Sequence, residues 1–123
     1  MNQPDEPVTL HQTGPVLTVT LNRPELHNAL NPALIAGLVH AFTERAQAPD
    51  VRVVVLTGSG RSFCAGADLA AMRAAADYTF EENVADGGAI FDLMLAIDRC
   101  PRPVVARVNG PAIGGGVGLV SCC

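Results

Sequence analysis

Two valine-rich runs, Arg52–Thr57 (R-V-V-V-L-T) and Pro103–Val108 (P-V-V-A-R-V), each lead directly into a glycine-rich turn. Short β-branched runs bounded by Gly, Pro and Asn read as strands, and runs without polar alternation read as buried ones. After the first come Gly58-Ser59-Gly60 and then S-F-C-A-G-A-D-L at 62–69. After the second come Asn109-Gly110-Pro111 and then the triplet Gly114-Gly115-Gly116, followed by an apolar stretch able to open a helix. Strand, glycine turn and helix in that order, used twice, predict an α/β fold. Such a turn brings bare backbone close to a ligand. The first N–H groups of the helix behind it have no partner inside that helix, and their partial positive charge suits an oxyanion. Close packing alone would account equally well for the second turn taken by itself. Two such turns together can each aim one N–H at a single oxygen, which is an oxyanion hole made wholly of backbone. Asp68 is placed to cap the helix that follows it.

The rest of the chain fits between these units. Val8–Leu10 and Pro15–Leu21 read as paired strands joined through His11–Gly14, the second alternating as V-L-T-V-T-L. Asn22–Asn28, containing Pro24, reads as a loop. Asn31 caps a predicted helix with Pro32 in its favoured first position. That helix should run to about Gln47, with Leu34, Ile35, Leu38, Val39 and Phe42 as its apolar stripe. A short helix is expected from Asp68 to about Arg73, and residues 74–79 give no clear pattern. A longer helix over Phe80–Arg99 carries Ala89, Ile90, Leu93, Met94 and Ile97 on one face, with Gly87-Gly88 weakening its first half and Cys100-Pro101 ending it.

Composition excludes several classes. A chain of 123 residues with net charge −4 has no basic cluster, so nucleic acid is not an expected partner. The basic residues are 8 arginines and no lysine, which excludes a lysine Schiff base and a Walker-type phosphate lysine within this stretch. No run approaches the ~18 apolar residues of a membrane span, so no membrane is expected as a partner. The N-terminal M-N-Q-P-D-E-P has neither the features of a signal peptide nor those of a transit peptide, and a cytoplasmic location is the expectation. Cys64, Cys100, Cys122 and Cys123 match no zinc spacing, so no metal is expected and the thiols read as free. His11, His27 and His40 form no recognisable pair with Cys64, which argues against a cysteine nucleophile. Neither glycine cluster has the G-x-G-x-x-G spacing of a dinucleotide site.

The segments N-R-P-E-L-H-N-A-L at 22–30, S-F-C-A-G-A-D-L at 62–69 and R-P-V-V-A-R-V-N-G-P-A-I-G-G-G-V-G-L at 102–119 resemble, in order and spacing, three signatures of the enoyl-CoA hydratase/isomerase (crotonase) superfamily. The resemblance covers nearly the whole chain but only about the first half of the family's usual length. It implies that residues 1–123 are the N-terminal part of a single crotonase-like domain. It also implies a spiral of ββα units, truncated before the C-terminal helical region. Full-length members pack as trimers or hexamers through that region, so such assembly is not expected of this chain alone.

The resemblance further implies an acyl-CoA thioester as ligand, in fatty-acid or branched-chain acyl-CoA metabolism. No separate cofactor is implied, since CoA is part of the substrate. The oxyanion donors would be the backbone N–H groups of Ala67 and Gly115, with Gly114 and Gly116 letting the backbone approach, and Gly66 and Gly114 would be among the substrate-binding positions. The carbonyls of Ala65 and Ala67 would lie near the adenine, and Leu26, Ala29 and Leu69 would line the CoA channel. Asp68 falls among the substrate-binding positions, although its capping place makes it a structural residue first. The family's hydratases use two glutamates as acid and base. Gly118 stands at the position of the first, and the second belongs to the part of the family pattern beyond Cys123. The resemblance therefore implies a lyase or isomerase by family, but a 123-residue chain inactive on its own. The alternative is a non-catalytic acyl-CoA-binding remnant.

Overall fold

The computed structural model describes residues 5–123; the first four residues of the N-terminal stretch read for targeting signals lie outside it. Its sheet has four strands in the order β1 (Val8–Thr13), β2 (Val16–Leu21), β3 (Val53–Gly58) and β4 (Val104–Arg107). β1 and β2 form an antiparallel hairpin, tighter than expected: His11–Thr13 belong to the strand and pair with Thr18–Val16, and only Gly14 and Pro15 turn the chain. Gly14 has φ 56°, the left-handed conformation that a turn this short uses. β2, β3 and β4 are mutually parallel. Parallel neighbours need long crossovers, and helices supply them.

The first crossover is α1, Pro32–Thr43. The Asn31 side chain accepts the Leu34 N–H, and Pro32 sits in the first turn, as the sequence predicts. The α-helix ends four residues before Gln47; Arg45–Gln47 instead make one tighter turn that re-aims the chain toward β3. The second crossover contains α2 (Leu69–Ala75) and α3 (Phe80–Asp98). The ambiguous stretch before α3 resolves into a capping box, in which Thr79 Oγ1 accepts the Glu82 N–H and Glu82 reaches back to the Thr79 N–H. α4, Gly115–Ser121, follows the glycine triplet. Among the described residues no helix is long and apolar enough to cross a membrane.

The core lies on one face of the sheet. Leu17, Val19 and Leu21 of β2 and Val54 and Leu56 of β3 are fully buried against Leu34, Leu38 and Phe42 of α1, Leu93 and Ile97 of α3, and Leu119 of α4. The two valine-rich runs are therefore not buried on both sides as their composition suggested. β3 alternates between buried and half-buried residues, and β4 pairs only with β3 among the described residues, leaving Val105 51% exposed. Helices cover one face only, so the side chains on the other face keep contact with solvent. The stripe expected on α3 is likewise narrower: Leu93 and Ile97 are buried, Met94 packs at the core's edge, and Ala89 and Ile90 are exposed.

Candidate functional site

Beyond the C-terminal ends of the parallel strands β2, β3 and β4 three segments meet: residues 22–30, 59–68 and 109–116. Their alignment comes from two isolated parallel bridges, Leu30 with Ala67 and Cys64 with Ala112. Leu30 donates its N–H to the Gly66 carbonyl at 2.7 Å and accepts the Asp68 N–H at 3.1 Å. In such a pairing the residue between the two bonded ones turns its own N–H and C=O the other way. Ala67 is that residue, and among the described residues nothing accepts its N–H. On the other segment, Ile113 donates to the Cys64 carbonyl at 3.0 Å. Gly114 then takes φ 57° and ψ −120°, a conformation costly for a residue with a side chain, and α4 starts immediately. Gly116 and Val117 donate back to Ile113 and Gly114. The N–H of Gly115, first in the helix, has no acceptor among the described residues.

The two turns lie against each other. A Cβ added at Gly66, where φ is 90°, would stand 3.2 Å from the Gly115 nitrogen and 2.8 Å from the Ile113 carbonyl oxygen. Two unpaired amides are thus carried on backbone segments in mutual contact. Each of the three segments contributes glycine or a left-handed residue where the approach is closest.

Residues that the sequence reading did not single out hold this arrangement together. His27 and Asn28 are both left-handed, at φ 53° and 57°. Asn28 is fully buried; its Nδ2 donates to the carbonyls of Ser59, Ser62 and Phe63, and its Oδ1 accepts the Arg23 N–H. Asn109 repeats the pattern from the other side, accepting the Gly58 N–H and donating to the carbonyls of Gly60 and Ser62. Arg23 Nη1 donates to the Ala29 carbonyl at 2.5 Å and to Asp68 Oδ2 at 3.1 Å, tying the first segment to the second. Asn beside a turn is a local signal. Arg23 gives none, because its partner lies 45 positions away.

Asp68 is buried and caps α2, its Oδ1 accepting the Ala71 N–H at 2.8 Å. That hydrogen bond first, and then Arg23, outweigh burial and hold its carboxyl below the ordinary 3.8. Both oxygens are engaged within the protein. Burial pushes the Cys64 thiol up, with the Gly66 N–H partly offsetting it. A raised thiol in a fully buried site is no nucleophile. His27 pairs with Ser62 instead, Nδ1 to Oγ at 2.8 Å.

An open groove of about 600 Å³ runs along these segments. Six of the positions read from the sequence line it: Leu26, Ala29, Ala65, Ala67, Asp68 and Leu69. Gly66 and Gly114 lie in the turns behind, and Gly115 opens α4 beside them. Gly118 stands apart, one turn into α4, where an added Cβ would meet the end of the Met94 side chain at 3.0 Å.

The enoyl-CoA hydratase/isomerase family model matches residues 11–123. The chain belongs to that family. It is 41% identical over 114 residues to an enoyl-CoA hydratase of Alternaria alternata, an alignment covering 93% of this chain and 36% of the relative. A solved enoyl-CoA hydratase of Mycobacterium smegmatis is 43% identical and superposes with a TM-score of 0.88, over 95% of this chain and 45% of that one. Another, from Shewanella pealeana, gives a TM-score of 0.91 at 32% identity, over 94% and 44%. The crotonase-like architecture expected from the sequence is therefore shown, and this chain spans less than half the length of these relatives.

Proposed function

We propose that the groove binds an acyl-CoA thioester, with the thioester oxygen received by the N–H groups of Ala67 and Gly115. One observation carries this proposal: two backbone donors without acceptors sit on turns in van der Waals contact, at the end of a groove lined by Leu26, Ala29 and Leu69. Family membership supports it, since the matched relatives are named enoyl-CoA hydratases. As an α-proton leaves the acyl chain, or as a nucleophile adds to an enoyl group, electron density moves onto the thioester oxygen. Donors fixed in advance stabilise that charge more than the neutral carbonyl, which lowers the barrier to enolate formation. The donors cost no reorganisation because Leu30 and Gly114 set their direction before the ligand arrives.

Proton transfer is a separate matter. Gly118 has no side chain to give or take a proton; an added Cβ there would meet Met94, and Gly118 is not among the residues that line the groove. This favours, as a second reading, an acyl-CoA-binding protein that keeps the hole without hydratase chemistry. Calorimetric titration with butanoyl-CoA and with its S-butyl thioether tests the hole. The thioether keeps every contact of the CoA and lacks only the carbonyl. The thioester should bind about tenfold more tightly, as expected for two hydrogen bonds of ~0.5–1.5 kcal/mol each. Equal affinities would remove the oxyanion role, while absence of binding by either would remove the acyl-CoA reading itself.

A further inference from the structure

A second cavity of about 120 Å³ adjoins the groove, sharing Ala67 and Asp68 with it, and is lined further by Leu30, Ile35, Met72 of α2 and Ile90 of α3. A third, of about 380 Å³, shares Pro32, Ile35 and Asp86 with the second and opens between α1 and α3. Each cavity thus shares lining residues with the next, and Ala67, one of the two donors proposed for the thioester oxygen, lines both the first and the second. An acyl chain whose carbonyl meets Ala67 would have the second cavity beside it, with Asp86 shared between that cavity and the third.

Three carboxylates line the second and third cavities, Asp68, Asp86 and Asp92, and of these only Asp86 lines both while being free of a partner among the described residues. Asp68 is fully engaged by Ala71 and Arg23. Asp86, on α3, is half-buried and has no hydrogen-bond or ion-pair partner among the described residues. It stands at the junction of the second and third cavities, and no Arg lines either of them. The other titratable groups facing that junction are Asp92 of α3 and His40 of α1, both on the outer cavity. A purely aliphatic chain laid past Asp86 displaces water from a carboxylate and returns nothing to it, which costs free energy. A chain with a donor at that point returns a charge-assisted hydrogen bond, the stronger kind.

We propose that Asp86 selects acyl-CoA thioesters carrying a hydrogen-bond donor, such as a hydroxyl group, toward the distal end of the acyl chain. Asp86 accepts that donor, and the apolar walls of the second cavity hold the methylenes between it and the thioester. This rests on the acyl-CoA reading above and adds the class of acyl group to it.

The test is a titration series on the full chain: butanoyl-, hexanoyl- and octanoyl-CoA, each against its ω-hydroxy counterpart, for the wild type, Asp86→Asn and Asp86→Ala. In the wild type, the hydroxylated member of the pair that reaches Asp86 should bind about tenfold more tightly than its alkyl partner, as expected for one hydrogen bond to a charged group. Asp86→Ala should abolish the difference, mainly by improving alkyl binding, and Asp86→Asn should keep part of it. Asp86 is half-buried and makes no hydrogen bond or ion pair among the described residues, so neither variant removes a contact that holds the fold, and circular dichroism checks that both are folded. If alkyl and hydroxyalkyl ligands bind the wild type equally at every length, or if the preference survives in Asp86→Ala, the inference is overturned while the acyl-CoA reading stands. If no acyl-CoA binds, both fall together.

Discussion

At the residue scale, Asp68 is the group whose removal should be felt most widely. Its carboxylate caps α2 and neutralises Arg23, which in turn holds the Ala29 carbonyl. Asp68→Ala should lose about 1 kcal/mol for the cap alone, and more because Arg23, 14% exposed, keeps its charge without a partner. Denaturant unfolding of the two proteins measures this. The pH dependence has a defined sign. The folded-state pKa lies below the unfolded one, so the contribution is present above the ordinary 3.8 and is lost as pH falls through the folded value. The stability difference between wild type and Asp68→Ala should therefore shrink in acid; a difference that grows there would contradict the assignment. Cys64 gives a second check. It is fully buried with a raised thiol pKa, so it should resist thiol reagents at pH ~8 until the chain unfolds. Labelling followed by peptide mapping reads this directly.

At the scale of elements, the caps were legible and the buried faces were less so. Asn31, Pro32 and Asp68 announce helix starts through local chemistry, and all three sit where their side chains require. Thr79-x-x-Glu82 carries an equally local signal that the sequence reading passed over, because Ala74–Thr79 has no periodicity to draw attention to it. The valine-rich runs are buried on one face rather than both for a different reason: a run of Val states that a strand forms, but how many faces are covered depends on elements distant in sequence. The positions of Ala67 and Gly115 came from matching motifs. That their N–H groups are unpaired required the bridges Leu30–Ala67 and Cys64–Ala112, which no local pattern encodes. The same separation hid Arg23 and Asn109. Within α3, Gly87 and Gly88 have open space where a Cβ would sit and no positive φ. Replacing either with Ala should stabilise the protein by ~0.5–1 kcal/mol, seen as a higher midpoint in denaturant. Gly116→Ala should do the opposite, because its Cβ would strike the Cys64 carbonyl oxygen and force apart the two segments that form the site.

At the scale of the whole molecule, the described chain leaves two apolar areas uncovered. Val105, Val108, Ile113 and Val117, 48–59% exposed, follow β4 into α4, and Leu69, Met72, Phe80 and Phe91, 57–79% exposed, follow α2 and α3. Large exposed apolar side chains in such number favour association. The polypeptide of residues 1–123 should therefore self-associate at micromolar concentration in sedimentation velocity, and a compact monomer would contradict this. The account as a whole stands on the backbone donors of Ala67 and Gly115, which the infrared spectrum of a bound thioester probes most directly. With butanoyl-CoA labelled with carbon-13 at its carbonyl, the stretch should move below its position in water on binding. It should recover only part of that displacement in Gly115→Pro, which removes one of the two N–H donors at a helix position that tolerates proline. A bound thioester whose stretch matches that in water, in both the wild type and a folded Gly115→Pro, would show that neither amide meets the oxygen.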